Sequence, residues 1–473
     1  MDEGDEGFET YFLLKLDEFY ADYLTRNRTL LNSIHKAAQD LQEGKQVDFN
    51  FSVIDNVTSP VARPVLPRSA PSTLHIRDSS AISKPSIQFK PVVNNIIPVF
   101  YSKKVDKDES AEIQTLSKQP QITPKDLQPL LSKFCRLPEC FATLILQIND
   151  IGTGKKFSDF WNKYIIGNDP NERFFRFIVG DDRNYCRPNE LIPFVSLIVK
   201  KHPSLEFLKN EELFQKKFID FIVIRAFYLM DTDFRGTVGI PQFRKMDLAS
   251  VFYKADKMPD VNEAQHIFNY QHFYVTFCKF WDLDTDSDEF LNQEDLYKFN
   301  ESAISPLIVE RFFDATFYPR NIDHDRGVDF ASFAYFLMSS EDKTNLTSIN
   351  FWYHLCDLDN DGILSIKEIE ELYHIQHERM SITGNETIPF EDIFRQLIDM
   401  INPEGKAYIT KQDLIKSKMA DVFFNTLFDL QKFLTREYQF PLINPDLDEM
   451  AKKLTQWEIY VLIEYDQLVN EGG

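Results

Sequence analysis

The chain has 473 residues, with 74 Asp and Glu against 52 Lys and Arg and a formal net charge of −22. This charge excludes a general nucleic-acid binder, because neutralising phosphates requires clustered basic side chains. Only 15 glycines are present, which disfavours a glycine-rich all-β fold, whereas 43% hydrophobic residues and 43 Phe indicate a folded, mostly helical body of two or three domains.

Cysteine usage and the N-terminus bear on the compartment. The five cysteines are scattered, with no CxxC motif among them, which is typical of free thiols in a reducing compartment. The first ten residues are acidic and do not resemble a secretory signal. No apolar run reaches the roughly 18 residues that a membrane span needs. We therefore expect a cytoplasmic protein.

The first 95 residues differ in composition from the rest. Residues 1–50 carry apolar side chains at helical spacing, which predicts an N-terminal amphipathic helical segment that either packs on the main body or serves in docking or self-association. Residues 51–95 are rich in Pro and Ser and predict a linker. The pattern is then helical to about residue 440, and we assign 96–260 to an N-terminal helical domain.

Residues 284–295, DTDSDEFLNQED, fit a twelve-residue EF-hand calcium loop. Acidic side chains fill positions 1, 3 and 5, position 7 offers a backbone carbonyl, and positions 9 and 12 complete the oxygen ligands that calcium prefers. The predicted metal ligands are Asp284, Asp286, Asp288, Phe290, Asn292 and Asp295. Glu289 replaces the turn glycine and Asp295 is shorter than the usual Glu. We therefore expect weaker calcium binding here, or more tolerance of magnesium.

Residues 357–368, DLDNDGILSIKE, fit the same loop at every diagnostic position. Gly362 occupies the sharp turn, where the required backbone conformation costs other residues more. The predicted metal ligands are Asp357, Asp359, Asp361, Ile363, Ser365 and Glu368. The two loops define a C-terminal EF-hand domain, residues 261–440, with two calcium sites.

EF-hand loops usually pair through short strands, so each calcium loop needs a partner. Residues 321–333 predict a degenerate partner for the 284–295 loop, and residues 402–413 predict one for the 357–368 loop. Two further relics, at 231–242 and around Gly152–Phe160, place degenerate EF-hands in the 96–260 domain. None of these four stretches has the carboxylate set that calcium requires.

The fold is therefore predicted to be mainly α. We expect an elongated array of EF-hand-like helix–loop–helix units, two with metal-competent loops, followed by a C-terminal tail, 441–473, with one short helix around Trp457–Leu468. No catalytic constellation is present: the chain has no G-x-S-x-G, no phosphate-binding glycine loop, and no His beside a Cys or Ser nucleophile signature. We predict that it is not an enzyme.

Several long stretches resemble the B-double-prime family of protein phosphatase 2A regulatory subunits. They include IIPVFYSKK (96–104), YQHFYVTFCKFWDLDTDSD (270–288), SSEDKTNLTSINFWYHLCDLDNDGILSIKEIEELY (339–373) and PFEDIFRQLIDMINPEGKAYITKQDL (389–414). The resemblance runs from about 96 to 440, in matching order and spacing. It implies that Glu289 and Asp295 are usual for the first calcium loop of the family.

The resemblance also implies a non-catalytic subunit. Such a subunit joins a HEAT-repeat scaffold subunit and a phosphatase catalytic subunit, directs substrate choice and localisation, and responds to calcium. It also leaves nuclear, cytoskeletal or centrosomal association open beside the cytoplasm. The alternative hypotheses are a free-standing EF-hand calcium sensor and a scaffold that calcium merely stabilises. The IPVFY segment (97–101) either packs on its own domain, which we favour, or docks near the catalytic subunit.

Overall fold

The structure is a computed structural model that describes residues 107–180, 183–263, 267–315, 327–406, 408–438 and 453–471. All of these residues belong to one contact unit, Val65–Gly473. The predicted N-terminal segment (1–50), the linker (51–95), the IPVFY segment and residues 321–326 of one predicted partner loop lie outside the described residues.

Helix–loop–helix units repeat along the described chain and form four pairs. The first pair contains α1 (Lys107–Leu116), α2 (Pro124–Leu130), α3 (Ala142–Ile148) and α4 (Gly154–Phe160), with π-helical turns at Leu131–Cys135 and Trp161–Ile165 and a 3-10 turn at Glu139–Phe141. Its two loops meet where the Ile122 N–H donates to the Gly152 carbonyl at 3.2 Å. The predicted relic around Gly152–Phe160 is thus half of a pair.

The second pair contains α5 (Pro170–Val179), α6 (Pro188–Lys201), α7 (Glu212–Met230) and α8 (Ile240–Met246), followed by α9 (Leu248–Lys257), with 3-10 turns at Pro203–Leu208 and Val261–Glu263. An antiparallel bridge between Cys186 and Val238 joins its loops. The predicted relic at 231–242 therefore pairs with residues near Cys186.

The third pair contains α10 (Tyr270–Leu283), α11 (Gln293–Tyr297), α12 (Pro306–Asp314) and α13 (Phe330–Glu341), with strands β1 (Phe290–Leu291) and β2 (Val328–Asp329). The fourth pair contains α14 (Leu346–Cys356), α15 (Ile366–Ile382), α16 (Phe390–Ile401) and α17 (Lys411–Ser417), with strands β3 (Leu364–Ser365) and β4 (Tyr408–Ile409). Leu291 lies opposite Val328 and Leu364 opposite Ile409, both in antiparallel register. The predicted partners of the two calcium loops are confirmed.

The residue at loop position 9 starts the helix that follows each calcium loop. Asn292 and Ser365 accept hydrogen bonds from the backbone N–H three residues later, and the acid at that later position accepts from the capping residue's own N–H. This reciprocal capping box satisfies two donors that a helix start otherwise leaves free. The sequence thus fixes where the loop ends and the next helix begins.

The hydrophobic core crosses the boundary that we placed at residue 260. Helix α7 is buried around nearly its whole circumference, as expected for a central helix. Its Tyr228 hydroxyl lies 3.2 Å from the Ser339 hydroxyl, and the Thr347 hydroxyl donates to the Tyr228 carbonyl at 2.7 Å. The second pair therefore packs directly on the third and fourth pairs, and the two parts of the body share one core.

The C-terminal tail is longer in helix than predicted and belongs to the core. After α18 (Ala420–Phe428) and α19 (Leu430–Tyr438), helix α20 runs over Gln456–Glu471. Its Trp457 is 2% exposed and donates from Nε1 to His272 Nδ1 at 3.2 Å. Glu464 pairs with Lys279 at 2.6 Å. No helix within the described ranges is both long and apolar enough to cross a bilayer.

Candidate metal centres

The 284–295 loop brings three carboxylates together. Helix α10 ends at Leu283, and Asp284 then accepts the backbone N–H groups of Asp288 and Glu289 at 3.2 and 3.1 Å. These bonds fold the loop so that oxygens of Asp284, Asp286 and Asp288 lie within 4.8 Å of one another. Burial raises the pKa of Asp284 to about 6, because removing the carboxylate from water disfavours its charged form.

The other three predicted ligands of this loop do not belong to the cluster formed by Asp284, Asp286 and Asp288. Phe290 is in strand β1 and Asn292 caps α11. Asp295 is 2% exposed, and its Oδ1 accepts the Lys298 ammonium at 3.1 Å and the Thr285 hydroxyl at 3.4 Å. A cation that uses Asp295 would have to compete with Lys298, so the structure adds a second reason to expect weaker binding here.

Glu289, which replaces the turn glycine, has a partner outside the loop. Its backbone has φ of 69°, in the left-handed region that favours glycine. Its carboxylate lies 2.8 Å from the ammonium of Lys217 in α7. This contact ties the 284–295 loop to the central helix, which the sequence pattern could not show.

The 357–368 loop has the same arrangement with fewer competitors. Asp357 is 5% exposed and accepts the N–H groups of Asp361 and Gly362 at 3.1 and 2.9 Å. Oxygens of Asp357, Asp359 and Asp361 lie within 4.8 Å of one another. Burial raises the pKa of Asp357. Gly362 has φ of 88°, the conformation for which this position needs glycine.

The remaining predicted ligands of the 357–368 loop complete its C-terminal half. Ile363 precedes strand β3, and Ser365 caps α15. Glu368 is 6% exposed; its Oε1 accepts the Leu358 N–H and its Oε2 accepts the Ser365 N–H, both at 2.7 Å. Among the described side chains no ammonium or guanidinium pairs with Glu368 in an ion pair. Both carboxylate oxygens thus bind backbone N–H groups at the two ends of the loop, and Glu368 lies outside the group of three Asp carboxylates.

Two side chains hold the backbone around the 357–368 loop. The Tyr353 hydroxyl lies 3.0 Å from both the Gly362 and the Ile409 carbonyl oxygens, so it bridges the calcium loop and its partner. Arg311 of α12 donates to the Asp357 carbonyl at 2.5 Å. The third pair is therefore connected directly to the first residue of this loop.

The donor set of both loops fits calcium. Three carboxylates that share so small a space repel one another unless a cation or protons balance them. Hard oxygen donors at alternate positions suit calcium, which takes six to eight oxygens. Asp284, Asp286 and Asp288 would hold one ion and Asp357, Asp359 and Asp361 another, with Asn292, Asp295, Ser365, Glu368 and the carbonyls of Phe290 and Ile363 as further predicted donors.

Two degenerate loops escaped the sequence interpretation. Residues 115–126 end in the capping pair Thr123 and Asp126, whose carboxylate accepts the Thr123 N–H at 2.8 Å. Residues 179–190 end in Glu190, which accepts the Arg187 N–H at 2.8 Å. In the calcium loops the same two positions are occupied by Ser365 with Glu368 and by Asn292 with Asp295. An acid three residues after a helix-capping position was therefore the signal that could have found them.

This chain is similar to several known proteins. An EF-hand domain family model matches residues 169–257, the second pair. The beta form of the Homo sapiens B'' regulatory subunits of serine/threonine-protein phosphatase 2A is 31% identical over 427 residues, which cover 86% of this chain and 74% of the relative. The alpha form of the same Homo sapiens B'' group is 33% identical over 322 residues, which cover 67% of this chain and 28% of that relative's length.

A solved structure agrees with the sequence relatives. It is named "PP2A PR70 Holoenzyme", with the label "diCa"; the matching chain is 34% identical with a TM-score of 0.53, covering 56% of this chain and 98% of that chain. Together with the EF-hand match, this neighbour supports calcium binding. The relatives are named as regulatory subunits, which confirms the prediction of a non-catalytic, regulatory chain. The chain belongs to the B-double-prime family of protein phosphatase 2A regulatory subunits.

Proposed function

We propose that this chain is the calcium-responsive regulatory subunit of a serine/threonine protein phosphatase 2A heterotrimer. In this role it joins a HEAT-repeat scaffold subunit and the catalytic subunit, and it directs the enzyme to its phosphoprotein substrates. The observation that carries the proposal is the presence of two carboxylate triads, one each in the third and fourth pairs, in a chain of this family. All five cysteines are free, which supports a cytoplasmic location.

Two calcium sites are proposed, with different affinities. The 357–368 loop has a turn glycine and a Glu at position 12, whereas the 284–295 loop has the shorter Asp295, already bonded to Lys298. Ligand charge and loop geometry set the affinity of EF-hand sites. The 357–368 loop is therefore proposed as the tighter site.

A calcium titration tests the ligand assignment. We expect two calcium ions per chain, and Glu368→Gln lowers the affinity of one of them by about tenfold or more, since it removes the bidentate carboxylate. Glu370→Gln is the matched control, because Glu370 lies on the exposed side of the same helix. Unchanged calcium affinity in Glu368→Gln would show that the ligand assignment is wrong.

Co-purification tests the partner. We expect the full chain to retain the scaffold subunit at micromolar calcium and to retain less of it in excess chelator or when it carries Glu368→Gln. If calcium raises the melting temperature but leaves scaffold binding unchanged, calcium only stabilises the fold. If no scaffold subunit is retained under any condition, the regulatory-subunit proposal fails for this chain.

A further inference from the structure

Two degenerate loops that end in an acid carry a basic residue at the position where the calcium loops carry their third Asp. Position 5 is Asp288 in the 284–295 loop and Asp361 in the 357–368 loop. In the degenerate loops 179–190 and 402–413 it is Arg183 and Lys406 respectively. The substitution replaces a calcium ligand by a cation of the chain itself.

Each of these basic side chains reaches the acid at position 12 of its own loop. The Arg183 guanidinium lies 2.5 Å from Glu190 Oε1. The Lys406 ammonium lies 3.4 and 3.5 Å from the two oxygens of Asp413. Seven residues separate the partners in both loops, and position 12 is where a calcium loop places its closing carboxylate.

The carboxylates at position 12 otherwise have the surroundings of a calcium loop. Asp413 is 4% exposed and its Oδ2 accepts the N–H of Thr410 at 2.9 Å, as Glu368 Oε2 accepts the Ser365 N–H at 2.7 Å. A buried carboxylate needs a counter-charge or hydrogen bonds. In the 402–413 loop that counter-charge is Lys406.

The 402–413 loop is joined to the 357–368 loop by two paired strand positions and by the Tyr353 hydroxyl. Strands β3 and β4 pair Leu364 with Ile409 and Ser365 with Tyr408. The Tyr353 hydroxyl contacts carbonyl oxygens of both loops. Ser365, the residue opposite Tyr408, also binds Glu368 through its hydroxyl at 2.8 Å. The position of β4 therefore influences the position of Ser365 and, through it, of Glu368, the acid at position 12 of the calcium loop.

We propose that Lys406 is an internal cation that takes the place of the metal in the 402–413 loop. It holds that loop closed in the absence of calcium and so positions β3, Ser365 and Glu368 for the ion that binds the 357–368 loop. Lys406 is thus a positioning residue, since it acts through β4 rather than on the metal. The positioning of β3, Ser365 and Glu368 for an ion rests on the proposed calcium binding of the 357–368 loop. The closing of the 402–413 loop by Lys406 does not.

The matched variants are Lys406→Met, Lys406→Arg and Lys416→Met in the full chain. Lys416 also pairs with an acid of the same loop, Glu404, at 3.7 Å, but both side chains are well exposed, at 66% and 72%. Exposed pairs of this kind contribute little to stability. Lys406→Arg keeps the positive charge, and Lys416→Met removes one without touching position 12.

The first measurement needs no metal. In excess chelator we expect backbone amides of 402–413 to exchange hydrogen faster in Lys406→Met than in the wild type, because the loop opens locally. Lys406→Arg and Lys416→Met retain wild-type exchange. Unchanged exchange in Lys406→Met would overturn the closing role of Lys406, whatever the loops bind.

The second measurement is the calcium affinity of the 357–368 loop, titrated with calcium chloride. We carry it out in a background with Asp288→Asn, which weakens the 284–295 site. Lys406→Met should raise the dissociation constant by about threefold or more, the size of a coupling between neighbouring groups. Adding Asp413→Asn should restore part of the affinity, since it removes the uncompensated carboxylate.

The two readouts separate the two proposals. If Lys406→Met exchanges its 402–413 amides faster but the wild type binds no calcium, the proposed calcium site is contradicted and the closing role of Lys406 remains supported. Faster exchange in Lys406→Met with wild-type calcium affinity would contradict the coupling between the loops. An equal loss of calcium affinity in Lys416→Met would show that any lost charge has the same effect, and would overturn the specific role of Lys406.

Discussion

Single residues distinguish the two loops that carry a carboxylate triad from the degenerate loops. Position 5 is an Asp in both calcium loops, Arg183 or Lys406 in two degenerate loops, and Arg235 in a third, where the guanidinium lies 2.9 Å from Asp233. In the loops with Arg183 and Lys406, the basic side chain therefore balances the carboxylate at position 12, a role that a bound cation would have in a calcium loop. The backbone around position 12 stays the same, because the capping interaction at positions 9 and 12 is independent of the metal.

Position 6 of the 284–295 loop is a second site where one residue changes the energetics of the loop. Glu289 keeps φ of 69° although it has a side chain, and it gains the contact with Lys217. Glycine would relieve the backbone cost, about 1 kcal/mol for an ordinary residue in the left-handed region. A partly exposed ion pair stabilises by about 0–1 kcal/mol. The two effects nearly cancel, because a substitution by Gly eases the turn and at the same time removes the ion pair.

Comparing Glu289→Gly with Glu289→Ala separates the two effects. Both variants lose the pair with Lys217, and only Gly relieves the backbone. We expect the Gly variant to have a free energy of unfolding about 1 kcal/mol higher than the Ala variant, measured by urea denaturation in chelator. Lys217→Met serves as control, since it breaks the same pair without changing the turn. Equal stabilities of the Gly and Ala variants would mean that the loop relaxes out of the left-handed conformation.

At the scale of elements, a buried ion pair connects helices that are distant in sequence. Lys343, between α13 and α14, is 1% exposed, and its ammonium lies 2.8 Å from Asp429, between α18 and α19. Lys432 of α19 pairs with Glu341 of α13 at 2.8 Å. Burial lowers the pKa of Lys343 to about 8, so Asp429 is what keeps this ammonium charged at neutral pH.

Removing one partner of this pair should destabilise the fold strongly. Asp429→Asn keeps the shape but leaves a buried ammonium without its counter-charge, so we expect a loss of about 3–5 kcal/mol in the free energy of unfolding near pH 7. Asp392→Asn is the control, because its pair with Arg395 is exposed and 3.7 Å long. Denaturant unfolding of both variants provides the measurement.

The pH dependence of the Asp429→Asn variant follows from the same pKa. Without Asp429, Lys343 gives up its proton more readily in the folded than in the unfolded chain, so the unfolded state binds more protons. Stability then rises with pH. The deficit of the variant relative to the wild type should shrink as the pH rises from 6 to about 8 and then level off, because above that value Lys343 loses its proton in both folded proteins. A deficit that stays constant over this range would mean that Lys343 is not the group left uncompensated.

At the scale of the whole molecule, the sequence predicted the mainly α class, the two acidic loops at 284–295 and 357–368, and the loops with which they pair. These features depend on local chemistry, namely alternating carboxylates, a turn glycine and capping residues. The 115–126 and 179–190 loops were missed because loops without metal keep only the capping pair as a signal. The shared core across residue 260 was missed because helical periodicity shows which face of a helix is apolar but not which helix covers it.

The C-terminal helix shows most clearly what the pattern could not give. The sequence predicted one short helix around Trp457–Leu468 in the tail but no docking site. In the structure Trp457 packs at the start of α10, and the buried Arg225 guanidinium of α7 lies 5.3 Å from its ring. Such cation–π contacts are stronger when both groups are desolvated. Helix α20 thus holds together α7 and α10, and α10 leads directly into the 284–295 loop.

Trp457→Ala should therefore affect both stability and the calcium loop that follows α10. Emptying a fully buried aromatic site costs about 3–5 kcal/mol, and we expect one cooperative unfolding transition at lower temperature, because α20 belongs to the shared core. Calcium affinity of the 284–295 loop should fall, whereas that of the 357–368 loop should change less, since Trp457 bonds to His272 of α10, the helix that leads into the 284–295 loop. Calorimetry and calcium titration in a Glu368→Gln background measure the two effects.

Ile463→Ala is the matched control for Trp457→Ala, since Ile463 lies on the same helix and is 43% exposed. It shortens an apolar side chain of α20 without opening a cavity, so both the melting temperature and the calcium affinity should stay close to wild type. A separate low-temperature transition in Trp457→Ala, with an unchanged main transition, would show that α20 unfolds by itself. In that case the helix would be an appendage of the third pair, and its contact with α10 would not support the calcium loop.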